Sequence, residues 1–139
     1  SMDAGGFKGR SREITRDELD NALEHCLGIP ADRNVNLLGM TELASQFYDN
    51  VLVDNDSTTR HKVNAPWTRS TVLDPRTLEP ITDKGTGLLC HLDLANVERP
   101  CCIRTHDMGS QQKSGWNVIG RAQGSDARGC SLTVEELIT

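Results

Sequence analysis

The chain has 139 residues, enough for one domain with a real core, and 20 acidic against 15 basic side chains leave a net charge of -5. That balance argues against a general nucleic-acid binder, which carries a basic patch, and no apolar run reaches the roughly 18 residues of a membrane-spanning helix. Hydrophobic residues make up 36% and aromatics only 4%, so the core is expected to rest on Leu, Val, Ile and Ala.

The start, SMDAGGFKGR, has no apolar signal-peptide core, and Ser1 ahead of Met2 reads as the remnant of an expression tag. The glycine-rich, basic run over residues 5–12 reads as a flexible start, or as a loop from a strand that is not here. From Thr15 the pattern turns helical. Thr15 and Glu18 make a capping box, Leu19, Ala22, Leu23, Cys26 and Leu27 recur on one helix face, and Gly28 and Pro30 end it. This predicts a helix over about 15–27 with Cys26 on its buried face. NVNLLG at 34–39 reads as a short strand, and a second, short amphipathic helix is expected to begin after Thr41 and Glu42. Helix, strand and helix in that order make an α/β layer.

The pattern then changes. Residues 53–62, VDNDSTTRHK, read as an exposed polar loop. From residue 66 to 121 the chain alternates, with turn signals at Asp74-Pro75 and Lys84-Gly85, and predicts mainly antiparallel strands. In GLLCHLDLAN, Leu88, Cys90, Leu92 and Leu94 share one face; Leu89, His91 and Asp93 share the other, where His91 and Asp93 read as an exposed polar pair. Cys101 and Cys102 read as buried small apolar residues. The fold class is therefore α/β (α+β), divided as an α/β segment over 1–50, an antiparallel region over 51–121 and a tail over 122–139. Cys26, Cys90, Cys101, Cys102 and Cys130 are odd in number and include no CxxC pair, so they read as free thiols of a cytoplasmic protein, and that spacing argues against a structural zinc site.

Three spaced pieces carry chemistry. GMTE, residues 39–42, sets a small residue, a hydroxyl and a carboxylate at the end of a strand. The plain account is a helix start, with Thr41 as cap and Glu42 in the first turn. The other account is a phosphate-and-metal site. THD follows at 105–107, where Asp107 also suits a turn before Gly109. GR at 120–121 leads into GSDARGCSL. In this order the pieces resemble the C-terminal half of the large domain of the adenylate-forming superfamily, with its Thr-Glu, Thr-Gly-Asp and Gly-Arg motifs. Within that superfamily, the HLDLAN strand, the THD corner and the GR…RGCSL ending look like the acyl-protein synthetase branch of bacterial luminescence.

The resemblance implies a fold that is part of an adenylate-forming large domain, and an activity that joins a fatty acid to the α-phosphate of ATP and then transfers the acyl group to a protein thiol or coenzyme A. It implies ATP/AMP and Mg2+ as cofactors. Glu42 would hold the metal, the Thr41 hydroxyl would meet the α-phosphate, and Gly39 and Met40 would let the backbone approach the nucleotide. Asp107 would take the ribose diol, Arg121 would bind ribose or phosphate oxygens, and Cys130 would accept the acyl group, with Arg128 nearby to favour its thiolate. Leu38 stands where the family has an aromatic, and His106 where it has glycine. The family's upstream Ser/Thr/Gly-rich phosphate loop has no counterpart here, and no lysine follows Lys113. The chain therefore reads as a C-terminal fragment, inactive alone. Its expected partners are an acyl substrate, the rest of the enzyme or a second copy, and an acyl-CoA reductase. The other reading is a non-catalytic α/β interaction module that keeps the fold.

Overall fold

The computed structural model describes residues 1–4, 14–54 and 57–122. Strand β1 (Met2–Ala4), helix α1 (Arg16–Leu27) and strand β2 (Val35–Leu38) follow in order, and β1 runs parallel to β2 with Met2 opposite Val35. The glycine-rich run thus does follow a strand of this chain, one of three residues that is too short to show alternation.

The capping signals act as expected. The Thr15 hydroxyl accepts from Glu18 N at 3.2 Å, the Glu18 carboxylate accepts from Thr15 N at 2.7 Å, and Gly28 closes α1 in the left-handed region at φ 67°. The expected apolar face is only half covered. Leu19 and Leu23 are half-buried, whereas Ala22, Cys26 and Leu27 are exposed and Asp20 is buried.

Ionic contacts explain the difference. Asp20 accepts from Arg16 Nε at 3.1 Å, Asn34 Nδ2 at 2.9 Å and Arg60 at 3.2 Å. Arg60 also reaches Asp49 at 2.8 Å and donates to the carbonyls of Ala31 and Asn34. Lys62 Nζ donates to Asn36 O at 2.7 Å and to the Asn36 side chain. Burial pushes the Lys62 amine down to about 8, against the pull of Asp49 and Asp3. Residues 60–62 are therefore not an exposed loop: His61 and Lys62 are buried, and Arg60 is mostly covered. A run of polar residues reads as solvated only when its partners, here distant in sequence, are not visible.

No helix begins after Thr41 and Glu42. Leu43 N closes a turn on Met40 O at 3.2 Å, and the chain returns as β3 (Phe47–Tyr48), antiparallel to β2 with Leu38 opposite Phe47. The second helix of the layer is one turn, α2 (Val51–Asp54). Leu43, Phe47 and Val51 are all buried. Their spacing of four suits a helix face, but it is also a multiple of the strand period of two, so the pattern could not discriminate.

The second sheet is antiparallel in chain order: β4 (Thr68–Leu73), β5 (Gly85–Asp93), β6 (Cys102–Gln111) and β7 (Trp116–Arg121). Its inner face meets the returning chain around Leu43, Phe47, Val72, Leu89 and Trp116, with Leu38, Met40, Ile81 and Ile103 packed around them. The centre joins these aliphatics to three rings. Phe47, His91 and Trp116 form a triangle with each pair of centroids 5.1 Å apart. The faces of β5 are accordingly reversed: His91 and Asp93 are fully buried and Leu88, Cys90 and Leu92 only half-buried. Cys101 and Cys102 are exposed, not buried.

Candidate functional site

The GMTE turn hangs between β2 and β3, and the far end of β5 holds it. Asp93 accepts from Ser45 N at 2.8 Å and Ser45 Oγ at 2.9 Å, while Trp67 Nε1 donates to the same hydroxyl at 2.9 Å. Asn96 Oδ1 accepts from Ala44 N at 2.8 Å, and its amide donates to Glu42 O at 3.0 Å. Arg99 donates to Thr41 O at 3.0 Å. Burial favours the neutral acid of Asp93, but hydrogen bonds from Ser45, Ala95 and Ala44 outweigh it and hold the carboxyl below its ordinary range. Thr41 and Glu42 themselves are exposed. The Met40 and Leu38 side chains pack on the core cluster, so only the backbone of Met40 is left to face a ligand. A Cβ at Gly39 would meet Gln46 Cγ at 3.5 Å, an ordinary contact.

The THD motif sits within β6 rather than at its end. Cys90 pairs with Arg104 and Leu88 with Met108, so Thr105, His106 and Asp107 together oppose the single residue Leu89. Thr105 Oγ1 ties this bulge by donating to Leu89 O at 3.0 Å and accepting from Asp107 N at 3.1 Å. On the other side Met108 pairs with Gly120 and Gly109 with Val118, which leaves Ile119 as an extra residue in β7. Two bulges thus flank Asp107, a device that re-aims a side chain out of a regular ladder. Asp107 stands opposite Arg121, with Arg121 Nε 3.5 Å from Asp107 Oδ1.

Asp107 and Arg121 are therefore brought together, and Thr41 and Glu42 occupy a different recess. Thr41, Glu42, Arg99, Pro100 and Ile103 line a cavity of about 370 Å³. A second cavity of about 600 Å³ takes in Arg121 with Arg76, Arg104 and His106 over Leu88 and Met108. Ile103 and Asp107 are four residues apart on β6, at most about 13 Å of extended chain. Among the described residues no three His, Cys, Asp or Glu gather as a metal cage. The lone exposed carboxylate of Glu42 beside a hydroxyl instead suits a magnesium ion that arrives with phosphates, since that ion takes one or two carboxylates and fills its shell with phosphate and water. Cys130 lies outside the described residues.

Sequence reasoning missed the residues that hold the motif turn. Asp93, Asn96 and Arg99 were legible only as a polar end to an alternating strand. The usable signal was a carboxylate on the same face as the core residue Leu89, which must find donors once buried.

Comparison with known folds places these elements. Three solved structures illustrate the likeness. The ATP-bound MatB of Rhodopseudomonas palustris aligns with a TM-score of 0.60 at 14% identity, over 86% of this chain and 25% of that one. The luciferase-like enzyme of the nonluminescent Zophobas morio mealworm gives 0.58 at 18%, over 90% and 31%. McyG A-PCP with phenylalanyl-adenylate gives 0.60 at 16%, over 88% and 24%. The fold is that of a portion of the adenylate-forming enzymes. A sequence profile of the LuxE acyl-protein synthetases matches residues 2–139, and the chain belongs to that family. The long-chain-fatty-acid–luciferin-component ligase of Vibrio harveyi is 24% identical over 145 residues, which cover 97% of this chain and 36% of the ligase. The ligase of the same name from Aliivibrio fischeri is 28% identical over 82 residues, covering 52% and 22%. The chain thus spans about a third or less of the length of these relatives. Among the described residues no helix is long and apolar enough to cross a membrane.

Proposed function

We propose that this chain supplies one wall of an ATP-dependent fatty-acid-activating site. In that reaction a fatty carboxylate attacks the α-phosphorus of ATP and expels pyrophosphate, and a thiolate then takes the acyl group and releases AMP. Asp107 receives the two ribose hydroxyls, for which a carboxylate has two acceptor oxygens. Arg121 holds Asp107 in place and offers its remaining donors to ribose or phosphate oxygens. The Thr41 hydroxyl and the backbone at Gly39 and Met40 meet the α-phosphate, and Glu42 holds magnesium, which when bound offsets the crowded phosphate charge. Cys130 is the acyl acceptor by family resemblance. The rest of a longer enzyme or a second copy closes the site, an acyl-CoA reductase takes the acyl group onward, and the setting is the cytoplasm.

The observation that carries this reading is the pairing of Asp107 with Arg121 between two bulges. The bulges set an acid and a base side by side at the motif positions. Gly39 adds support, because neither its φ nor its neighbours demand glycine, leaving close approach of a ligand as the reason.

Calorimetric titration of the chain with AMP and with magnesium ATP tests the reading. One wall of a site gives weak binding, roughly high micromolar to millimolar, and Asp107→Ala abolishes it. Pyrophosphate exchange with fatty acids is absent for the chain alone. Robust acyl-adenylate formation by the 139 residues would overturn the one-wall reading, and no nucleotide binding at all would favour an interaction module.

A further inference from the structure

On the outer face of the second sheet, two thiols from different strands stand almost in contact. Cys90 lies on β5 and Cys102 begins β6, and their sulfurs are 3.8 Å apart. The ladder pairs Cys90 with Arg104 and Leu92 with Cys102, so the two cysteines are diagonal neighbours on one face. The site reading above uses neither. They are not packing residues of the core, which lies on the other face: Cys102 is exposed and Cys90 half-buried. We propose that Cys90 and Cys102 form a two-electron oxidation site that closes into a β5–β6 disulfide when the protein meets a peroxide.

The chemistry divides the roles. Cys102 is open to solvent and meets the oxidant first. Its thiolate attacks one peroxide oxygen, giving a sulfenic acid and releasing hydroxide, which takes a proton to become water. The Cys90 sulfur then attacks the Cys102 sulfur and loses its proton, and the sulfenic hydroxyl leaves as a second water. In sum two thiols and one hydrogen peroxide give one disulfide and two waters, with the two sulfurs oxidised and the peroxide reduced. Burial and the neighbouring Cys102 thiol push Cys90 up to about 11, so Cys90 rests as a thiol and leaves the first attack on peroxide to Cys102. A sulfenic acid formed 3.8 Å from a second thiol is captured before it oxidises further.

Diagonal strand positions are a strained place for a disulfide, because the bond needs the two Cβ atoms closer than an undisturbed diagonal sets them. A strained disulfide is easily reduced, which marks it as a reversible modification rather than a structural staple. Its place matters. Cys90 comes one residue before His91 and three before Asp93, and Cys102 comes three before Thr105. The bond would tie together the strand that clasps the GMTE turn and the strand that bulges at Asp107.

The test treats the full chain with one equivalent of hydrogen peroxide, blocks the remaining thiols, and digests it after Glu98, which separates Cys90 from Cys102. The expected product is a linked pair of peptides lighter by two hydrogens, released by mild reductant. Cys101→Ser retains the link, and Cys90→Ser loses it and leaves sulfenic acid at Cys102, which a second equivalent of peroxide carries on to sulfinic acid. A link that survives Cys90→Ser, joins Cys101 or joins two chains would overturn the proposal, as would over-oxidation of Cys102 in the unaltered chain. None of these outcomes depends on nucleotide binding.

Discussion

Arg121 faces Asp107 across the β6–β7 ladder, its Nε 3.5 Å from the carboxylate. Both side chains are partly exposed, at 36% and 25%, so the pair adds no more than about 1 kcal/mol to stability. Asp107→Asn is therefore expected to leave urea unfolding within about 1 kcal/mol of the unaltered chain while weakening AMP binding at least about tenfold. Loss of stability and binding in equal measure would make the pair a structural strut.

Asp93 is expected to behave in the opposite way. It is fully buried and accepts from Ser45 N, Ser45 Oγ and Ala95 N. Asp93→Ala strands those donors and should cost about 3 kcal/mol in urea unfolding. Hydrogen exchange at the Ser45 amide should accelerate beyond the global loss, because the GMTE turn is released first. A cost below about 1 kcal/mol would mean that water replaces the carboxylate and that Asn96 and Arg99 alone hold the turn.

Two glycines separate folding from function. A Cβ at Gly87 would lie 2.0 Å from Leu73 O, a backbone atom that cannot step aside. Gly87→Ala should cost about 3 kcal/mol or more by forcing β4 from β5. At Gly39 the nearest atom is Gln46 Cγ at 3.5 Å, so Gly39→Ala should be near neutral in thermal melting yet lower nucleotide affinity. Unchanged affinity in Gly39→Ala would remove the GMTE backbone from the proposed site.

Burial pushes His91 down to about 4. Its Nδ1 lies 2.8 Å from Ser70 Oγ, and its Nε2 is buried without a partner among the described residues. The unfolded chain binds a proton near pH 6.5 and the folded one only near 4, so the unfolded state holds more protons between these values. Stability is thus fully present above about pH 6.5 and falls with pH down to about 4. From pH 7 to 5 the loss assigned to this group is about 2 kcal/mol. His91→Phe should flatten that part of the profile, measured by urea unfolding at each pH. An unchanged slope would place the acid sensitivity elsewhere.

Local signals in the sequence were read correctly where the interaction is local. The Thr15–Glu18 box, the Gly28 stop, the strand at 35–38 and the antiparallel run from β4 to β7 all follow from patterns a few residues long. The errors at Cys26, at His91 and Asp93, and at residues 60–62 share one cause. Each side was chosen by counting apolar residues, but here charge pairs and rings decide which face turns inward. Arg60 meets Asp20 forty residues away, and nothing near Arg60 in the sequence announces that. The family motifs located the candidate residues, but their spacing could not tell that Thr41 and Glu42 would line one cavity and Arg121 another.

Arg60 also has a bearing on how the chain assembles. Its guanidinium draws on Asp20 from α1, on Asp49 just after β3, and on the carbonyls of Ala31 and Asn34 between them. A mostly covered guanidinium that has found only one of these carboxylates is worse off than one still in water. Half-built intermediates of the first sixty residues are therefore penalised, and no early element gains by docking before the others arrive. The first layer should form in a single late event, with nascent α1 remaining a marginal, fraying helix until β2, β3 and the segment around Arg60 close on it together.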